Sequence, residues 1–196
     1  MIRQAVAALV SAFLLGGCKQ GTEAIQPGSE RNPAPAEAYR LDFRFENAPG
    51  PFSKVRATAF YRVTNEECVR AQPFSGAVLP PEYKLDLPLQ ALDGNRYEAV
   101  FHRDALRDAD YFGLGLCRWK LQNVVIRFAS PATDFTAALF NPQDPEDKIE
   151  PVQSYFLHRD YFTKPEPMTL VFGEKAGFYL PSMGDQFRIA IAAEPV

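Results

Sequence analysis

An all-β fold, an antiparallel β-sandwich or barrel-like domain with at most short helices, is what three features of this chain predict. Apolar and polar residues alternate with period two in one segment after another, and no helical period is sustained. The chain holds 16 Phe, 8 Tyr and one Trp, residue types that fit a pleated, half-buried surface. Its 17 prolines interrupt the apolar runs at short intervals, as in sandwiches built from many short strands.

Taken in order, Leu41, Phe43 and Phe45 alternate with Arg40, Asp42 and Arg44, which marks a strand with one buried face. Ala48-Pro49-Gly50-Pro51 is a turn by composition. Beyond it Val55, Ala57, Ala59, Tyr61 and Val63 alternate with Arg56, Thr58 and Arg62, and Phe60 breaks the polar face. Residues 85–101 read as a hairpin around Asp93-Gly94. A two-residue loop would mix apolar and polar side chains on both faces. A three-residue loop, Leu92-Asp93-Gly94, pairs Leu89 with Tyr97, Leu87 with Ala99 and Leu85 with Phe101, with Gly94 left-handed at the bulge. Pro88 cannot donate to a ladder and confines its strand to an edge or bulge.

The longest strand runs from about Leu116 to Phe128. Cys117, Trp119 and Leu121 share one parity, whereas Val124, Ile126 and Phe128 share the other. A phase change inside one strand is the mark of a β-bulge, here expected near Gln122 or Asn123. Further strands are expected at 134–140, 152–157, 168–172 and 186–192, and the best candidate for a short helix is Asp104–Asp110. A faint echo links Phe101-His102-Arg103-Asp104 to Phe156-Leu157-His158-Arg159-Asp160, each followed by a Tyr-Phe pair.

The amino terminus carries an address. Arg3 precedes an apolar stretch from Ala5 to Leu15, which ends in Leu14-Leu15-Gly16-Gly17-Cys18. The stretch is far short of the ~20 apolar residues that a spanning helix needs, and it reads as a secretory signal. The arrangement resembles the lipobox of bacterial lipoprotein precursors. That resemblance implies cleavage after residue 17, acylation of Cys18 and, with Lys19 rather than Asp next, sorting to the outer membrane, facing the periplasm. The alternative is an ordinary signal peptide cleaved near Gly17. Residues 18–38 then form the lipidated cysteine and a Pro/Gly-rich, solvated tether, and residues 39–196 form a single β-domain.

Loss of Arg3 with the signal moves the formal charge from -3 to -4. With no basic block in the chain, no nucleic-acid footprint is expected. With Cys18 acylated, Cys68 and Cys117 remain. In an oxidising compartment an even pair is expected as a disulfide, the alternative being a reactive thiol.

The residue pattern is not that of an enzyme. His102-Arg103-Asp104 and His158-Arg159-Asp160 repeat the triplet of a kinase catalytic loop, but Ala109 and Pro165 stand where its Asn would follow. Such strand-end residues are expected in surface ion pairs. A zinc site could draw on His102, His158 and Asp104 or Asp160, but the spacing is not that of a metal site. Ser154 with His158 is the nearest nucleophile–base pairing, without a nucleophile elbow. Residues 141–151 present Asp144, Glu146, Asp147 and Glu150 as an acidic loop that lacks the calcium-loop pattern. No cofactor and no metal are expected.

An anchor, a tether and an aromatic-rich β-domain together suggest a protein-binding module. The segment Asp110-Tyr111-Phe112-Gly113-Leu114-Gly115-Leu116-Cys117-Arg118-Trp119 is loosely similar to small periplasmic lipoproteins that serve as immunity proteins for secretion-system effectors. The similarity implies a toxic effector as partner, neutralised by occlusion. The expected contacts are Tyr111, Phe112, Asp144, Glu146, Asp147, Tyr161 and Phe162. The alternative is a structural or assembly lipoprotein of an envelope or secretion machine.

Overall fold

The computed structural model describes residues 29–140, 148–163, 170–172, 174–175 and 185–196. Within these, alternating segments become strands β1 (Ala38–Glu46), β2 (Ser53–Val63), β3 (Glu82–Leu87), β4 (Gln90–Ala91), β5 (Arg96–His102) and β6 (Trp119–Ala129). They continue as β7 (Asp134–Phe140), β8 (Val152–Leu157), β9 (Leu170–Phe172), β10 (Glu174–Lys175) and β11 (Gln186–Pro195). One sheet has the order β10-β8-β11-β1-β5-β4 and the other β3-β2-β6-β7-β9. The fold is thus a mainly antiparallel β-sandwich, with β7 and β9 as a parallel pair.

The core sits where the alternation placed it. Leu41, Phe43 and Phe45 of β1 face Ala57, Ala59, Tyr61 and Val63 of β2, all buried in a single cluster. Phe60, the residue that breaks the polar face of β2, lies opposite Lys84 of β3, whose ammonium sits 5.5 Å from the ring centre. Toward one end the core is almost wholly aromatic. Phe52 and Phe128 lie 4.8 Å apart, Phe128 stacks on Phe135 at 5.3 Å, and Phe156 stacks on Phe187 at 5.1 Å. Offset and edge-on contacts of this kind add about 0.5–1.5 kcal/mol per pair beyond burial.

The bulge falls at Gln122. Phe60 pairs with Asn123 and Tyr61 with Leu121, which leaves Gln122 without a partner on β2 and turns both Leu121 and Val124 inward. Cys68 and Cys117 form a disulfide, their Cα atoms 5.3 Å apart.

Three expectations need correction. The hairpin has another register: Gln90 pairs with Glu98 and Ala91 with Tyr97, and the loop is residues 93–95. Asp93 Oδ1 caps this loop by accepting from the Asn95 and Arg96 amides at 2.9 and 2.8 Å, and Gly94 is not left-handed. Leu85 and Leu87 pair instead with Ala59 and Ala57 of the opposite sheet. The chain crosses between sheets at Pro88-Leu89, where a missing amide costs no ladder bond. Residues 104–110 are not helical, because their backbone pairs elsewhere. The Arg107 amide donates to the Glu30 carbonyl at 2.8 Å and the Asn32 amide to the Ala105 carbonyl at 3.0 Å. The short α-helix, α1, is His158–Phe162. By the same bonds residues 29–38, assigned above to the solvated tether, are strapped onto the domain. Asp104 completes the strap, its carboxylate accepting from the Ala36 and Glu37 amides at 2.8 and 3.1 Å.

Candidate functional site

β1 runs the length of the sandwich, and its pairings sort the loops between two ends. Ala38 pairs with His102 at one end, whereas Glu46 pairs with Arg188 at the other. Nine residues of strand separate the ends by about 26 Å. The expected contact residues do not form one surface. Tyr111 and Phe112 lie at the end reached by His102. Tyr161 and Phe162 follow β8 at the opposite end, where Leu157 pairs with Gln186. Asp144, Glu146 and Asp147 lie outside the described residues, as does Cys18.

At the first end, the connections 64–81 and 103–118 are joined by the disulfide and by polar bonds. Asn65 spans both, donating from Nδ2 to the Leu116 carbonyl at 2.7 Å and accepting from the Arg118 amide at 2.7 Å. Arg70 donates from Nε and Nη2 to the Phe112 carbonyl at 3.3 and 3.0 Å. Tyr111 is a brace: its hydroxyl donates to the Arg107 carbonyl and accepts from the Glu30 amide at 3.2 Å. Burial pushes that hydroxyl above the ordinary phenol range. Phe112 is half-buried and walls an open groove of about 630 Å³ with Val69, Leu79, Pro80 and Pro81.

Around this groove stand large apolar side chains in water. Phe74 is fully exposed at the tip of the turn closed by the Gln72 and Ala77 backbone. Leu79 is 64% exposed, and Leu114 and Leu116 are each 49% exposed. Asp110 Oδ1 accepts from the Gly113 and Leu114 amides at 2.7 and 3.1 Å, and Gly113 has φ +72°, so the tight turn thrusts Leu114 outward. Phe74 and Leu79 are not among the contacts expected from the sequence. The available signal was a large aromatic inside the turn composition Gln72-Pro73-Phe74-Ser75-Gly76.

At the far end, α1 is clamped to the turn 47–52. Tyr161 is buried and its hydroxyl donates to the Pro51 carbonyl at 2.8 Å. His158 Nε2 lies 2.8 Å from the Asn47 carbonyl oxygen, which can only accept, and the His158 amide donates to the Asp185 carbonyl at 2.9 Å. A Cβ on Gly50 would sit 2.5 Å from the Tyr161 hydroxyl oxygen, so only glycine admits this approach. The clamp presents Phe162, 67% exposed and edge-on to Tyr161 at 5.1 Å.

The remaining polar candidates are structural in this geometry. His102 and His158 lie at opposite ends and cannot share a metal ion. Ser154 points into the core. Asp104 fastens the strap, and Asp160 pairs with its neighbour Arg159 at 3.5 Å. Arg188 and Arg44 flank Glu46, and the hydrogen bond from Arg188 is the main reason that carboxyl lies below the usual range. No family model, no curated protein and no solved structure matches the chain at a significant level.

Proposed function

We propose that the mature chain is a protein-capturing lipoprotein rather than an enzyme, held by acyl groups on Cys18 at the periplasmic face of the outer membrane. Its partner on this reading is a toxic effector delivered into the periplasm, neutralised when the loop edge around α1 enters its active cleft and excludes substrate. The observation that carries the reading is Phe162, a solvent-facing aromatic on a turn of helix locked by Tyr161, His158 and Gly50. A rigid exposed aromatic loses little conformational freedom on binding, which is why such side chains serve as interface anchors.

Effector-carrying cells that lose this chain should poison themselves. Wild-type protein should rescue them, and Phe162→Glu at equal abundance should not. Purified effector should bind the Phe162→Glu protein at least about 30-fold more weakly, the loss expected of an interface anchor. Survival of the deleted cells would refute the immunity function, and recovery of a stable multi-subunit envelope complex on cross-linking would replace it with an assembly role. Full rescue by Phe162→Glu would remove Phe162 from the interface.

A further inference from the structure

We propose that the disulfide-braced end of the sandwich is a membrane-contact face, lying on the phospholipid surface that holds Cys18. This inference rests on the lipoprotein reading and adds an orientation to it. Its first support is the path of the chain. Ser29 is buried, Glu30 and Asn32 pair with residues 105–107, and Arg31 lies over the Tyr83 ring at 5.5 Å. The first described residue after Cys18 is therefore at this end of the domain. Eleven peptide links join Cys18 to Ser29 and reach at most about 40 Å. On this reading the disulfide end is the part of the domain nearest the bilayer.

The second support is the chemistry of that end. Phe74 and Leu79 come from one connection, Leu114 and Leu116 from the other, and the Cys68–Cys117 bond with the Asn65 bridge holds the two connections side by side. Large apolar side chains exposed on adjoining connections mark a surface that is covered in use. Side chains projecting from loop tips suit the boundary between headgroups and acyl chains, where a few apolar groups sink about 5–10 Å. Charges beside the rim are of both signs, Arg62, Arg70 and Arg118 against Glu66, Glu67 and Glu82. Apolar contact rather than attraction to anionic lipid therefore does the holding. Phe162 then points away from the bilayer, toward the periplasm.

The test places a reporter at each end of the mature chain. The protein is attached through Cys18 to vesicles of phosphatidylethanolamine and phosphatidylglycerol with brominated acyl chains. Attachment uses the native acyl groups, or a maleimide lipid if mass spectrometry finds the thiol unmodified, so that acylation and orientation are read separately. Phe74→Trp and Leu114→Trp report on the rim, and Leu92→Trp in the far hairpin reports on the opposite end. All three sites are exposed, so the substitutions leave the core untouched. The two rim variants should shift their emission to the blue and lose intensity to the brominated chains beyond the level of the unsubstituted protein. Leu92→Trp should do neither. Equal quenching at both ends, or none at the rim, overturns the proposal. It is also overturned if Phe74→Glu with Leu79→Glu abolishes effector binding in solution, since the rim is then a protein site.

Discussion

Removing the disulfide tests both the fold and the bracing of the rim. The Cys68–Cys117 bond closes a loop over a sequence separation of 49. In the chain-entropy model a cross-link of that length withdraws about 4 kcal/mol of freedom from the unfolded ensemble. Both cysteines are buried, so changing each to Ala also removes a sulfur from the core at about 0.8 kcal/mol, the worth of one buried methylene. The sum is about 5–6 kcal/mol, an upper figure because a compact unfolded state has less freedom to lose. A domain of this size has about 5–15 kcal/mol in all, so Cys68→Ala with Cys117→Ala should remove about a third of it or more. Urea unfolding of the oxidised parent and the double variant should be followed by Trp119 emission and by far-ultraviolet circular dichroism. The midpoint should fall sharply and the urea dependence steepen, because an uncrosslinked chain exposes more surface. Trp119 pairs with Val63 and lies two residues from Cys117, so it reports on the braced end directly. A loss below about 1 kcal/mol would refute the loop-entropy reasoning, for which the chain length alone demands several times that.

Gly50→Ala should cost about 1–3 kcal/mol, since the new methyl group collides with the Tyr161 hydroxyl. Tyr161→Phe should cost about 1 kcal/mol for its bond to Pro51, and a double-mutant cycle in urea should find the two non-additive. Asp104→Ala should release the strap. Amide exchange at Ala36 and Glu37 should quicken by about tenfold or more, consistent with lost bonds to a carboxylate, while β2 and β6 keep their protection. Glu46 has a folded pKa below its unfolded value of about 4.3, so its contribution is complete above that value and disappears as pH falls through the folded one. Thermal melts should therefore separate wild type from Glu46→Gln at pH 7 and converge on acidification below about pH 4. A gap that widens in acid would contradict the assignment.

The sequence by itself determined the local part of this architecture. Strands 134–140 and 152–157 stand where alternation placed them, and the parity change across Leu121 and Val124 located the bulge at Gln122. Cys68 and Cys117 form the disulfide expected of a cysteine pair in an oxidising compartment. Alternation reports which face a side chain takes relative to its neighbours, and no more than that. Only the tertiary structure decided that β3 leaves its expected partner β5 for β2, that residues 105–107 give their backbone to residues 30–32, and that the two aromatic pairs occupy opposite ends. Each outcome depends on contacts between distant parts of the chain. The bond from Tyr161 to Pro51 spans 110 positions, and that from Tyr111 to Glu30 spans 81. Phe74 shows the same limit from the other side. Its turn is legible in composition, but which way the ring faces at the tip, outward into solvent, is not.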